Sequence, residues 1–137
     1  MLILFLRGDS VKYKNLLRVF LSGAFFYGSI EIIWRGYTHI SMLFLGGICF
    51  SLIYLCEKGL PTRSVLLRSV IYALLITGLE FISGIILNIV LKLDVWNYVG
   101  IPFNILGQIC LPYSLLWFVV ALICTQICCL YRFAFEE

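Results

Sequence analysis

Four apolar runs, each bounded by polar or basic residues, constrain this chain more than anything else in it. They cover Leu16–Trp34, Ser41–Cys56, Val65–Leu91 and Asn104–Tyr131. A helix needs about 20 residues to cross the hydrocarbon of a bilayer. The second run is short and must borrow flanking residues; the third and fourth are long enough to tilt. Pro112 lies inside the fourth run, where its missing N–H predicts a bend. Hydrophobic residues make up 63% of the chain and charged residues 12%. A soluble domain of 137 residues cannot hide that much apolar surface. The expected fold is therefore an all-α integral membrane protein with four transmembrane helices, in a single membrane domain over residues 1–137.

Basic residues set the orientation. Arg7, Lys12, Lys14 and Arg18 precede the first run; Lys58, Arg63 and Arg68 lie between or at the ends of the second and third; Arg132 follows the fourth. The two other connections carry only Arg35 and Lys92. This asymmetry predicts cytoplasmic termini in a multi-pass plasma-membrane protein. Trp34, Tyr37, Trp96 and Tyr98 then gather at the outer interface as an aromatic belt. The opening MLILFLRG has six apolar residues before Arg7, too few for a signal-peptide core, so the first span is expected to be retained. The net charge of +3 is dispersed between apolar runs, which suits a membrane surface and not nucleic acid.

An internal repeat organises the runs. Ala24, Gly28, Glu31 and Arg35 fall on Ala73, Thr77, Glu80 and Gly84 at a shift of 49, and these positions step along one helix face. Leu45–Cys49 falls on Leu106–Cys110 at a shift of 61. Two fused two-helix repeats are expected, about 16–57 and about 65–131. Each repeat crosses twice, so they are parallel, related by a pseudo-two-fold along the membrane normal.

Polar residues within the runs are the candidate site. A glutamate at mid-bilayer costs roughly 2.5–3.5 kcal/mol on insertion scales, so Glu31 and Glu80 should face protein, a cavity or a partner. Arg35 follows Glu31 at i+4, which suits an ion pair, and could bridge both glutamates. Thr77, Glu80, Gly84 and Asn88 form a polar stripe, read either as helix packing or as one wall of a cleft. Asn104, Gly107 and Gln108, at the start of the fourth run, would supply the facing wall. Trp34 to His39 and Trp96 to Tyr98 could close an outer pocket over a cation, or simply anchor the interface. The candidate ligand- or ion-binding set is Glu31, Arg35, Glu80, Asn88, Trp96, Tyr98, Asn104 and Gln108. Glu80, with no basic neighbour on its own helix, is the better candidate for exchanging a proton or holding a cation.

Other chemistry has little support. The six cysteines lie in or beside apolar runs and read as small apolar fillers, with Cys128 and Cys129 as acylation candidates. One histidine, His39, gives no zinc spacing, so no metal is expected. There is no GxxxxGK[ST], HExxH or GxSxG motif, so neither an enzyme nor a cofactor is expected. The lipid bilayer is the partner that composition requires, and a homo-oligomer is compatible with it.

Three segments carry a family resemblance: WRGYTHISMLFLGGICF (Trp34–Phe50), LEFISGIILN (Leu79–Asn88) and VWNYVGIPFNILGQICLPYSLLW (Val95–Trp117). They resemble the small bacterial membrane proteins called ABC-transporter type IV, or CmpB-like permeases, over about residues 23–120. The family loop usually reads Trp-Asp-Tyr-Ser; here it is Trp96-Asn97-Tyr98-Val99, with a carboxylate lost. The resemblance implies a transport-related, ABC-permease-like membrane subunit of a bacterial plasma membrane, with an outward-facing polar site. The chain has no nucleotide-binding motif, so any ATPase would be a separate subunit. A non-transporting membrane accessory or ligand-sensing protein is the alternative.

Overall fold

The computed structural model describes residues 13–60 and 63–135. Arg7 and Lys12, the opening MLILFLRG and the final two residues lie outside the described residues. Helix α1 spans Tyr13–Arg35, α2 Ile40–Gly59, α3 Val65–Gly84 and α4 Leu111–Phe135. α3 continues as a π-helix over Ile85–Val90. A two-stranded antiparallel ribbon, β1 (Asn104–Ile105) and β2 (Ile109–Cys110), precedes α4, with Asn104 opposite Cys110 and Ile105 opposite Ile109. Among the described residues, four helices are long and apolar enough to cross a membrane: 15–35, 40–57, 65–90 and 111–131. The chain divides into two compact units. One holds α1, α2 and the end of α4 from Cys124; the other runs from Val65 to Ile123.

In the first unit, α1 and α2 form a hairpin around glycine. A Cβ on Gly23 would stand 2.7 Å from the Gly46 carbonyl oxygen, and one on Gly46 would stand 2.9 Å from that of Gly23. Such an approach lets apolar helices gain dispersion contacts that lipid would otherwise supply. The hairpin turn is short. α1 ends at Gly36, whose φ of +81° suits glycine and whose N–H donates to the Ile32 carbonyl at 2.8 Å. His39 caps α2, its Nδ1 accepting from the Ser41 N–H at 3.2 Å. α2 therefore extends past Cys56 by borrowing flanking residues.

In the second unit, α3 buries Ser69, Tyr72, Ala73, Ile76, Glu80 and Gly84, a single face. The Thr77 hydroxyl donates to that of Ser114 on α4 at 3.4 Å. The fourth span differs from the sequence expectation: its helix begins at Leu111 and not at Asn104. Phe103 (φ +57°), Leu106 (φ +52°) and Gly107 (φ +69°) adopt left-handed backbone, which no α-helix accommodates. Pro112 consequently lies in the first turn of α4, where no N–H partner is required. It initiates the helix; the bend expected of a proline inside a long span does not apply to it.

Candidate functional site

Residues 91–110 fold back over α3, and the contact centres on Glu80. Its side chain is 1% exposed. The Tyr98 hydroxyl donates to Glu80 Oε1 at 2.8 Å, and the Trp117 indole N–H donates to Glu80 Oε2 at 2.8 Å. One carboxylate thus joins α3 to the loop and to α4. An ionised carboxylate is an acceptor only, which matches two incoming donors. Tyr98 stacks on Tyr113, ring centroids 4.7 Å apart and planes 14° apart. Its backbone N–H donates to the Gly107 carbonyl at 2.8 Å.

A second polar layer lies one to two turns beyond Glu80. Asn88 sits in the π-helix, where i+5 bonding re-aims side chains. Its Oδ1 accepts from the Val95 N–H at 2.7 Å, and its Nδ2 donates to Gln108 Oε1 at 2.8 Å. Gln108 Nε2 donates to the Leu106 carbonyl at 3.0 Å, and the Gln108 carbonyl accepts from the Trp96 indole at 3.0 Å. Gly84 makes room for this layer. A Cβ there would stand 2.6 Å from Gln108 Oε1 and 3.0 Å from Trp96 Cζ2.

Five of the sequence candidates therefore fall in these two layers: Glu80 with Tyr98, and Asn88 with Trp96 and Gln108. Gln108 reaches the polar stripe of α3 from a loop and not from a helical wall. Asn104 does not join them. It closes a turn, Oδ1 accepting from the Gly107 N–H at 3.1 Å and Nδ2 donating to the Ile101 carbonyl at 3.0 Å. Trp96, expected in an interfacial belt, is 6% exposed and packs inward, because its indole N–H is needed by Gln108. Glu31 and Arg35 belong to the first unit, where they form the expected ion pair. The Arg35 guanidinium lies 4.8 Å from the Tyr37 ring centroid, a cation–π contact. Trp34 and Tyr37 are exposed, as interfacial anchors would be. Among the described residues, no group of histidine, cysteine and acidic side chains could hold a metal ion.

Sequence reasoning missed Trp117 and Tyr113. Both lie in an apolar run, and only a buried carboxylate in need of donors hints at such partners. At the Asp-to-Asn departure in the loop, Asn97 is exposed and its Oδ1 accepts from the Val99 N–H at 2.8 Å, a turn that either residue type supports.

No curated protein and no solved structure matches this chain. One family does: its model, described as Putative ABC-transporter type IV, covers residues 10–135, nearly the whole chain and all four apolar helices. The chain belongs to that family.

Proposed function

We propose that the protein is a transport-related membrane subunit of a bacterial plasma membrane, with both termini cytoplasmic and a polar site on the outward side centred on Glu80. The observation that carries this reading is the Glu80 cluster itself. Intramembrane ionisable residues are costly, and they concentrate where a ligand or ion is handled. Tyr98 bonds the glutamate, and Asn88 and Gln108 form the next polar layer along the helix, groups able to replace the hydration of a small polar or cationic ligand. The family name supports a link to ABC transport, and the ATP-hydrolysing component is then a second polypeptide. The two halves act as parallel repeats in this reading, supported by the registry of Ala24, Gly28 and Glu31 with Ala73, Thr77 and Glu80. Glu31 and Arg35 form the corresponding polar contact of the first repeat.

A second reading has its own support. Both Glu80 oxygens already accept hydrogen bonds from the protein's own side chains. That suits a non-transporting accessory protein in which the cluster only holds helices together. The deciding experiment is crosslinking in native membranes, purification, and assay of ATP hydrolysis by the purified complex. Transport predicts an ATP-hydrolysing partner whose turnover falls in Glu80→Gln while the complex stays assembled. Absence of such a partner, or unchanged turnover in the variant, favours the accessory role.

A further inference from the structure

We propose that residues 95–110 form a re-entrant hairpin, seated in the leaflet on its own side of the membrane with Val99, Phe103, Ile105 and Leu106 against lipid acyl chains. Connectivity would make this segment an ordinary water-exposed loop between two spans. Depth argues otherwise. The segment 65–90 has a helical length of about 39 Å at about 1.5 Å per residue, longer than the roughly 30 Å of hydrocarbon. Glu80 lies about 22 Å along it from Val65 and Gly84 about 28 Å. Counted from Arg68, the last basic residue at that end, the depths are about 18 Å and about 24 Å. From either origin both residues fall inside the hydrocarbon. Tyr98 is bonded to the side chain at the first level, and Gln108 packs against the second. The hairpin has therefore turned back below the end of the helix that leads into it. α4 agrees: Trp117 meets Glu80, and it lies only six positions on from the helix start at Leu111.

Two independent features fit that depth. From Val95 to Tyr131 the sequence contains no Asp, Glu, Lys, Arg or His, whereas Lys92 and Asp94 stand just before this stretch. The hairpin also turns large apolar side chains outward: Phe103 is 79% exposed, Val99 67%, Leu106 65% and Ile105 54%. Water is a poor solvent for such a surface and hydrocarbon a good one. Irregular backbone survives at membrane depth only where its polar groups find partners. Here they do so within the unit. The N–H groups of Tyr98, Val99, Ile101, Gly107 and Gln108 all donate to acceptors in the same hairpin, at 2.8–3.1 Å.

The test places the photoreactive residue p-benzoylphenylalanine at Phe103, and separately at Leu106, in the full chain in native membranes. The same residue at Leu74, 67% exposed on α3, is the control for a lipid-facing site. After irradiation, mass spectrometry of the purified protein should find phospholipid adducts at Phe103 and Leu106 with yields within about threefold of Leu74. Two sites guard against one variant failing to fold, and each must elute as the wild type does. Adducts at Leu74 alone would overturn the inference by placing the hairpin in water. Adducts of Phe103 and Leu106 to a second polypeptide would overturn it in favour of a protein partner.

Discussion

Replacing Glu80 by leucine and by glutamine should separate the charge of the residue from its role as an acceptor. In Glu80→Leu, the Tyr98 hydroxyl and the Trp117 indole lose the acceptors they reach at 2.8 Å. A buried donor left unmatched costs about 1–3 kcal/mol, so the pair costs about 2–6 kcal/mol. Relief from burying a carboxylate, and the added apolar surface of leucine, offset about a third of this, on a scale of about 1–2 kcal/mol. A net loss of about 3 kcal/mol is expected. Glu80→Gln behaves differently. Its carbonyl accepts from Trp117, and its amide N–H donates to the Tyr98 oxygen once the phenol rotates its proton away. Two charge-assisted bonds become neutral ones, at about 1 kcal/mol each, while the desolvation of a charge is relieved. The net loss should stay below about 1.5 kcal/mol. Equilibrium unfolding in mixed detergent micelles, followed by tryptophan fluorescence, measures both, because Trp96 and Trp117 lie in the affected unit. Glu80→Leu matching wild-type stability, or Glu80→Gln proving the worse of the two, refutes the reasoning.

Gly84→Ala should destabilise by about 2–3 kcal/mol, since its methyl would meet Gln108 at 2.6 Å; Gly78→Ala, with nothing within 4 Å, should gain about 0.5–1 kcal/mol. The same micelle titration compares the two glycines, and equal effects would argue against close seating of the loop. Glu31→Gln should cost only about 0.5–1 kcal/mol, because the ion pair it removes from Arg35 is partly exposed. A loss above about 2 kcal/mol in that variant would mean that the pair matters more than its setting implies.

The first three spans were legible because burial in lipid imposes length and composition directly, whatever the details of packing. The fourth boundary was not. Phe103-Asn104-Ile105-Leu106-Gly107-Gln108-Ile109-Cys110 continues the apolar run, and hydropathy alone reads it as more helix. What stops the helix is left-handed backbone at Phe103 and Leu106, residues whose type gives no warning of it. Glu80 stood out because a carboxylate in an apolar run is expensive. Its partners did not, since Trp117 is 37 positions away and resembles any other core aromatic. Trp96 was legible as a site candidate, but the partner of its indole N–H, the Gln108 carbonyl twelve positions on, was not.

Pinning and ligand handling need not be rival roles for Glu80. Any cation approaching from the hairpin side meets Oε1 already holding the Tyr98 hydroxyl, so it competes with the bond that fixes the hairpin. Trp117 can keep Oε2 meanwhile, which leaves the carboxylate oriented. Tyr98→Phe tests this competition. It removes the hydroxyl but keeps the ring that stacks on Tyr113, so the hairpin should remain folded at a cost of about 1–2 kcal/mol. Oε1 is then left without that donor and is freer to take up a proton and add to an electrophile. Dicyclohexylcarbodiimide, an apolar reagent that adds to protonated carboxyl groups inside membranes, should label Glu80 several-fold faster in Tyr98→Phe than in the wild type. Labelling of Glu31, in the other unit, should not change and serves as the internal reference. If Glu80 labels no faster without the tyrosine hydroxyl, Tyr98 does not guard the carboxylate, and the hairpin is a fixed support instead of a latch.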